Sequence, residues 1–252
     1  MDSMERLIEM LRASDHIVFL GGAGVSTESG IPDFRSESGI FKTIQEFGLR
    51  PEELLSLSFF YQHPDVFYDY YRKYLIYPSA QPNAAHKALA RLEQAGLLSG
   101  IVTQNIDELH QRAGCRRVFE LHGSVYKNHC LKCGKAFPLS YIMDADSVPH
   151  CDACGDLIKP DVVLYGEGLD KLTLRGAISR ISGADMMIVG GTSLTVYPAA
   201  GLVDYFNGNR LVIINKSETH YDSAAHLVIS DSIGKVLGEA VNALLGPDPA
   251  EN

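Results

Sequence analysis

The chain has 252 residues and a formal net charge of −9 at pH 7, with 46% hydrophobic and 21% charged residues. A chain of this length can bury a substantial core, and this composition is ordinary for a globular enzyme. No apolar run approaches about 18 residues, so we expect no membrane span, and the acidic charge argues against nucleic acid, whose binding depends on neutralised phosphates.

The first predicted elements alternate helix and strand. Apolar residues between Met4 and Ala13 recur at helical spacing. This segment lacks the basic start and apolar centre of a signal peptide, so we expect a cytoplasmic protein. The run HIVFL, which ends at Leu20, predicts a strand that leads into a glycine-rich turn. Asn83 is the predicted N-cap of a helix that Gly96 closes.

The remaining elements continue this alternation. Strands are predicted at GIVTQ (100–104), RRVFELHG (116–123), DVVLYG (161–166), DMMIVGG (185–191) and RLVIIN (210–215). The last three are continuous apolar runs, which are typical of buried parallel sheets. Helices are predicted at roughly 171–182 and 231–245. This order indicates an α/β fold with a Rossmann-like parallel sheet that is flanked by helices.

Two segments interrupt the alternation and predict a second, smaller lobe. Residues 37–78 are rich in Phe and Tyr, with short helical runs after Pro51 and Pro64, and residues 124–158 carry four cysteines. The chain therefore divides into a Rossmann-like domain (1–36, 79–123 and 159–252), a helical insertion (37–78) and a cysteine module (124–158).

The four cysteines of this module form two CxxC pairs, each followed by glycine. Cys130 and Cys133 are separated by 17 residues from Cys151 and Cys154. Two disulfides or a redox pair are the alternatives. Disulfides are disfavoured because the sequence shows no export signal, and a redox motif explains only one of the two pairs. The spacing predicts one structural zinc ion, because four thiolates complete a tetrahedron and leave no open position. Cys115 lies outside this pattern.

Small and polar residues follow almost every predicted strand. The strand ends read GGAGVST, TQNIDELH, ELHG, LYGEG, GGTSL and INKSE. Ligands of open parallel sheets bind outside the carboxyl ends of the strands, so this collection predicts a site there. Gly22-Ala23-Gly24 is suited to approach a phosphate, yet Thr27 stands where a dinucleotide fingerprint has its third glycine.

The stretches GAGVSTESGIPDFR, TQNIDELH, HG at 122–123, the paired CxxC motifs, GTSL and IN resemble the sirtuin family in order and spacing. The resemblance covers about residues 10–240, and within the family the chain is similar to compact bacterial members. It implies an NAD-dependent protein-lysine deacetylase that splits NAD and yields nicotinamide, deacylated lysine and 2′-O-acyl-ADP-ribose. The implied partners are acyl-lysine proteins or peptides, with nicotinamide as product and inhibitor.

The resemblance also implies roles for particular residues. His122 is the implied general base, and Asn105 the implied ribose ligand in catalysis. The implied cofactor contacts are Gly22, Ala23, Gly24, Ser26, Thr27, Ile31, Asp33, Phe34, Arg35, Gln104, Asn105, Ile106, Asp107, His122, Gly191, Thr192, Ser193, Asn215, Lys216, Ser232 and Ile233. The implied substrate strand is Val162, Val163, Leu164, Tyr165, Gly166 and Glu167.

Other functions are weighed against this one. Mono-ADP-ribosyl transfer would use the same cofactor with little need for His122. A dehydrogenase is disfavoured, because this chain lacks the acidic residue that such an enzyme has at the end of a second strand, about 20 residues after the glycine turn. A non-enzymatic NAD or zinc scaffold is also disfavoured, because it need not keep Asn105, Asp107 and His122 together. Members that remove succinyl groups carry a Tyr and an Arg three residues apart. Here Arg72 follows Tyr68 by four, so we expect Arg72 to point to water and neutral acyl groups to be preferred.

Overall fold

The computed structural model describes residues 2–33 and 37–248. Among these residues, six strands form a parallel sheet in the order β3-β2-β1-β7-β8-β9. They are β1 (Ile17–Gly21), β2 (Leu98–Thr103), β3 (Val118–Glu120), β7 (Met186–Gly190), β8 (Arg210–Ile214) and β9 (Leu227–Ile229). The remaining strands, β4 (Gly123–Cys130), β5 (Ala136–Pro138) and β6 (Ile158–Val162), form a separate antiparallel sheet in the order β5-β4-β6.

Helices cover both faces of the parallel sheet. They are α1 (Ser3–Arg12), α6 (Ala84–Gln94), α7 (Leu109–Arg112), α9 (Lys171–Ser182) and α10 (Ile233–Leu245). The predicted helix starts are confirmed, because Asn83 accepts from the backbone N–H of Ala85 at 2.9 Å and caps α6. The predicted Rossmann-like α/β class is therefore confirmed.

The strands of the parallel sheet are apolar along their whole length because both faces are buried. In β1 the side chains of Ile17 and Phe19 pack with α1, α6 and α10. The alternate residues, Val18 and Leu20, pack with α9 on the opposite face. Successive strand residues point to opposite faces, so a strand that is covered twice has no polar side.

The smaller lobe combines the antiparallel sheet with short helices. These are α2 (Glu37–Phe47), α3 (Pro51–Leu54), α4 (Leu57–Gln62), α5 (Pro64–Tyr74) and α8 (Leu139–Met143). Proline opens α3 and α5, as predicted, because the first helical position needs no N–H donor. Aromatic residues of α5 fill the core of this lobe, where Tyr68 donates to the carbonyl oxygen of Ile158 at 2.6 Å.

One strand prediction needs correction, and the strands β4, β5 and β9 were not predicted. The segment 161–166 was predicted as a parallel strand, but its strand ends at Val162 and pairs antiparallel with β4 in the smaller lobe. A continuous apolar run shows burial on both sides and does not show which sheet supplies the neighbours. Strand β9 was not predicted, since its three residues are too short for a periodic signal. No helix among the described residues is long and apolar enough to cross a membrane.

Candidate active site

A cavity of about 220 Å³ opens at the carboxyl edge of the parallel sheet, between the sheet and the smaller lobe. Many of the predicted site residues line it. From the predicted set these are Ala23, Ser26, Ile31, Gln104, Asn105, Ile106, Asp107, His122, Val162, Val163, Leu164, Tyr165, Gly166 and Glu167. Parallel strand ends meet at one edge, so residues far apart in the chain converge there.

The glycine-rich turn fits tightly against the end of β7. The backbone N–H of Gly24 donates to the carbonyl oxygen of Gly191 at 2.8 Å. A Cβ atom on Gly24 would lie 2.7 Å from the Cα of Gly191, and one on Gly22 would lie 2.8 Å from the Cβ of Thr192. Glycine is required at both positions because a side chain would push these backbones apart.

Ser26 joins two of the predicted cofactor ligands. Its hydroxyl donates to Oδ2 of Asp107 at 2.6 Å and accepts from the side-chain amide of Asn105 at 3.0 Å. The backbone N–H of Leu109 donates to the other carboxyl oxygen of Asp107 at 2.9 Å. Burial raises the pKa of Asp107 above its ordinary value, while the Ser26 bond opposes that rise. The network fixes both side chains before any ligand binds.

His122 follows β3 and reaches back to the end of β2. Its Nδ1 lies 2.9 Å from the carbonyl oxygen of Gln104. A carbonyl oxygen only accepts, so Nδ1 carries the proton and the neutral ring keeps a basic Nε2. Gln104 is itself held, because its side-chain amide donates to Oγ1 of Thr192 at 3.1 Å. The arrangement provides an oriented imidazole at the wall of the cavity.

The predicted substrate segment forms another wall of the cavity. Val163 donates its backbone N–H to the carbonyl oxygen of His122 at 3.0 Å. Tyr165 bonds through both backbone groups to Leu55 and Leu57 of the helical insertion. The Glu167 carboxylate accepts from the backbone N–H of Leu164 at 2.8 Å and pairs with Lys159 at 2.9 Å. These bonds fix the segment along the cavity, and its second half forms a turn in which the Glu167 N–H donates to the carbonyl oxygen of Leu164 at 2.9 Å.

The other predicted cofactor residues do not line this cavity, and they follow β1, β7 and β8 or lie at the start of α10. Asn215 directly follows β8, and its side-chain amide donates to the carbonyl oxygen of Ser217 at 2.7 Å. Outside the cavity lining are Gly22, Gly24, Thr27, Asp33, Gly191, Thr192, Ser193, Asn215, Lys216, Ser232 and Ile233. Phe34 and Arg35 lie outside the described residues.

The cavity also has lining residues that were not predicted. They come from the insertion, from β4 and from the loops after β6 and β7, and include Leu55, Tyr74, Leu75, Tyr77, Val125, Tyr126, Leu169, Val196, Tyr197 and Pro198. The Tyr-Pro pair at 197–198, a strong turn signal just after the GTSL motif, could have identified the loop. Tyr74 and Tyr77 gave no such signal, because an aromatic residue at the end of a helix is usually core.

The four cysteines of the module converge as predicted. Their sulfur atoms all lie within 4.8 Å of one another, with Cys130 and Cys154 3.4 Å apart and Cys133 and Cys151 3.6 Å apart. A zinc ion with four bonds of about 2.3 Å requires sulfur separations of about 3.8 Å. Gly134 and Gly155 adopt φ of 70° and 75°, the left-handed turn expected after each pair. The cluster fits one structural zinc ion.

The fold and the site define an α/β protein with a dinucleotide crevice, an oriented histidine and a tetrathiolate metal cluster. Residues 22–198 match the Sir2 family profile. The NAD-dependent protein deacetylase of Clostridium acetobutylicum is 56% identical over 238 residues, which cover 94% of this chain and 97% of that protein. The deacetylase of Clostridium perfringens is 55% identical over 242 residues, covering 96% and 99%.

Solved structures agree with these relatives. A Sir2 structure with deacetylated p53 peptide and 3′-O-acetyl ADP-ribose superposes with a TM-score of 0.88 at 40% identity, covering 98% of this chain and 100% of that one. A Sir2 complex with p53 peptide and NAD⁺ gives 0.85 at 39% identity, covering 96% and 98%. The chain belongs to the Sir2 family.

Proposed function

We propose that this chain is an NAD-dependent protein-lysine deacetylase that transfers the acyl group of lysine to ADP-ribose. The observation that carries the proposal is the bond between His122 and the Gln104 carbonyl, beside the Ser26, Asn105 and Asp107 network in one cavity. This arrangement provides a fixed base next to fixed ribose and carboxamide ligands. The naming of the relatives and the peptide and NAD⁺ complexes of the solved neighbours support the same activity.

The glycine-rich turn is our proposed phosphate-binding element. The N–H groups of Gly22 and Gly24 donate to the carbonyl oxygens of Gly190 and Gly191. The pyrophosphate would therefore meet this tight turn through the backbone N–H of Ala23 between the two glycines. Asp107 would accept from the nicotinamide carboxamide, and Ile31 and Ile106 would line the pocket of that ring. The set proposed to contact NAD is otherwise the one named from the sequence. NAD supplies the bond between nicotinamide and ribose whose cleavage drives acyl transfer.

His122 is the proposed general base. Its Nε2 is the basic nitrogen of the neutral ring, since Nδ1 is tied to Gln104. After the acyl oxygen has displaced nicotinamide from C1′, His122 in that state would take a proton from a ribose hydroxyl. The hydroxyl oxygen would then bond to the acyl carbon, and addition of water to this carbon would let the lysine nitrogen leave. One positioned base of this kind contributes roughly 100- to 10,000-fold in rate. Asn105, held by Ser26, would orient the same ribose.

The acyl-lysine peptide would enter along residues 162–167. Tyr165 is bound through its backbone to the insertion, and Val163 to His122. This leaves the segment stiff, so a substrate strand can pair with it at little ordering cost. Recognition through the main chain carries little information about neighbouring side chains, so we expect weak sequence preference. Nicotinamide would be both product and inhibitor, because it occupies the pocket that it leaves.

The zinc ion is proposed to be structural. Four thiolates saturate its coordination, and the cluster belongs to the lobe opposite the histidine. We place the protein in the cytoplasm, where cysteines stay reduced and available to zinc, and we propose that it contacts neither nucleic acid nor membrane. The division into residues 1–36, 79–123 and 159–252 with insertions at 37–78 and 124–158 also stays our proposal.

An acetyl-lysine peptide tests the function. We expect loss of the acetyl group only when NAD is added, with no turnover when NADH replaces it, since the reduced ring is a poor leaving group. Deacetylation without NAD would point to a simple hydrolase. ADP-ribosylation of the peptide with the acetyl group intact would favour the transferase alternative.

A further inference from the structure

Glu28 connects two ends of the cofactor crevice that are far apart in the chain. It lies in the short 3-10 turn Thr27–Ser29, directly after the glycine-rich turn. One carboxyl oxygen accepts from the hydroxyl of Ser232 at 2.6 Å and from the backbone N–H of Gly234 at 3.0 Å. These donors belong to the first turn of α10, so a side chain from the start of the chain caps its last helix.

The first turn of α10 fits closely at the carboxyl edge of the sheet. A Cβ atom on Gly190, the last residue of β7, would lie 1.9 Å from Cδ1 of Ile233. A Cβ atom on Gly234 would lie 2.4 Å from the Glu28 carboxylate. The absence of a side chain at Gly190 therefore leaves space for Ile233, and its absence at Gly234 leaves space for the Glu28 carboxylate. Both contacts are closely packed.

The turn that carries Glu28 is also fixed on its other sides. The side-chain amide of Asn83 donates to the carbonyl oxygen of Val25 at 2.7 Å and to the hydroxyl of Ser29 at 2.9 Å. Two residues before Glu28, Ser26 holds Asn105 in the cavity. The same short turn thus faces the proposed nicotinamide end through Ser26 and α10 through Glu28.

The strand order places the other half of the cofactor near α10. The order reverses between β1 and β7, and ligands of such sheets lie across that reversal, outside the strand ends. The cavity with His122 lies at the ends of β1 and β2. A dinucleotide that starts there must extend over the ends of β7 and β8, next to the first turn of α10.

We infer that Glu28 is a positioning residue for the adenosine half of NAD, acting through the first turn of α10. The inference rests on the proposed function and adds a residue to which no contact with NAD is assigned. The carboxylate holds Ser232 and Gly234 in place, so the adenosine pocket is formed before NAD arrives. Without it, the helix start is free to shift, and binding must include the cost of ordering it.

The test is binding and kinetics of Glu28→Ala, with Glu28→Gln as a milder variant. We expect Glu28→Ala to raise the KM for NAD and the Kd for ADP-ribose by about fivefold to tenfold, a change of the size that one ordinary hydrogen bond gives. The KM for the peptide and the kcat at saturating NAD should stay within about twofold. The Gln variant keeps an acceptor oxygen, so its KM for NAD and its Kd for ADP-ribose should lie between those of wild type and Glu28→Ala.

A matched control separates this role from general stability. Glu5 also accepts a backbone N–H, that of Asp2 at 3.0 Å, at the N-terminus of α1. Glu5→Gln should lower the melting temperature with no change in the ADP-ribose Kd. A double-mutant cycle of Glu28→Ala with Ser232→Ala should show coupling, because one bond joins the two side chains.

The outcomes are distinct. If wild-type protein neither deacetylates the peptide nor binds ADP-ribose, the proposed function fails. If the wild-type protein does both and Glu28→Ala binds ADP-ribose as tightly as wild type, the inference on Glu28 is overturned. The inference also fails if the peptide KM rises as much as the NAD KM, since that reports a general loss of structure. Calorimetry with ADP-ribose needs no turnover, so it separates these results.

Discussion

The guanidinium of Arg72 donates through Nε to the carbonyl oxygen of Ile142 at 2.9 Å, and through a second nitrogen to the carbonyl oxygen of Ser147. The expectation that Arg72 points to water is therefore wrong. Its side chain instead ties α5 to the cysteine module. Its cation also lies 5.4 Å from the ring centre of Tyr68. It is not among the residues that line the cavity.

This arrangement predicts the acyl preference. Along the cavity wall formed by the insertion lie Leu55, Tyr74, Leu75 and Tyr77. None of the described residues that line the cavity is a lysine or arginine, so a succinyl carboxylate would be desolvated there without a cation among them, which is costly. We expect kcat/KM for an acetyl-lysine peptide to exceed that for the matched succinyl peptide by more than about tenfold. Arg72→Met should lower the melting temperature and leave this ratio unchanged. A succinyl preference that the variant abolishes would contradict the prediction.

Removing the base should separate chemistry from binding. His122→Ala is expected to lower deacetylation by roughly 100-fold or more, while the NAD Kd changes little because the glycine-rich turn remains. The matched control is His16→Ala, since His16 precedes β1 at the opposite edge of the sheet. Single-turnover assays and calorimetry give the two quantities. Near-normal turnover of His122→Ala would remove this residue from the mechanism.

The zinc cluster predicts a structural dependence. Cys154→Ala should lose the metal and unfold the module, because binding energy at a structural site is folding energy. Activity would then fall without any contact between zinc and substrate. Metal analysis should find about one zinc per chain in wild-type protein. Cys115→Ala, which alters a buried cysteine outside the cluster, should keep zinc and activity. A zinc-free preparation with full activity and an unchanged melting temperature would refute the structural role.

Two buried histidines predict sensitivity to acid. His86 and His110 lie with ring centres 4.7 Å apart, 0% and 1% exposed. Burial lowers the pKa of His86 from 6.5 to about 4, and that of His110 well below its ordinary value. At pH values between the lowered pKa values and about 6.5, the folded chain thus binds fewer protons than the unfolded chain. Stability is therefore lost as pH falls below about 6.5, and for His86 the loss amounts to about 3 kcal/mol by pH 4.

Urea unfolding between pH 7.5 and 5.5 measures this loss of stability. In this range thiolate coordination of zinc is better preserved than at lower pH. Each buried histidine should steepen the fall by up to about 1.4 kcal/mol per pH unit. His110→Phe removes one titrating group while filling a similar volume, so its stability should depend less on pH than that of wild type. His16→Asn, at an exposed position, should leave the pH dependence unchanged. A flat wild-type profile would contradict the assigned pKa shifts.

Much of the fold and of the candidate site could be predicted from the sequence. Strand ends converge in any parallel sheet, so Ala23, Asn105 and His122 could be brought together without knowing the structure. The cysteine cluster followed from spacing alone, since two CxxC turns can present four sulfurs to one metal. In both cases a local pattern carries the geometry.

The remainder depends on contacts between distant segments. Nothing near Glu28 in the sequence indicates that it meets Ser232, 204 residues away. The segment 161–166 was assigned to the parallel sheet because its apolar run is compatible with either sheet, although the strand in which it begins, β6, pairs with β4. Tyr74 and Tyr77 reach the cavity only because of how α5 packs on the smaller lobe. Such features become visible once tertiary packing selects among locally equivalent arrangements.

The most direct test of the account is the stoichiometry and identity of the products in one reaction with acetyl-lysine peptide and NAD. Mass spectrometry of a quenched reaction should find nicotinamide, deacetylated peptide and O-acetyl-ADP-ribose in equal amounts, because in the proposed mechanism the acyl group moves to the ribose hydroxyl that His122 would deprotonate. Early samples matter, since the ester can hydrolyse on standing. Free acetate in place of the ester from the first time points, or nicotinamide release without loss of acetyl from the peptide, would contradict the account.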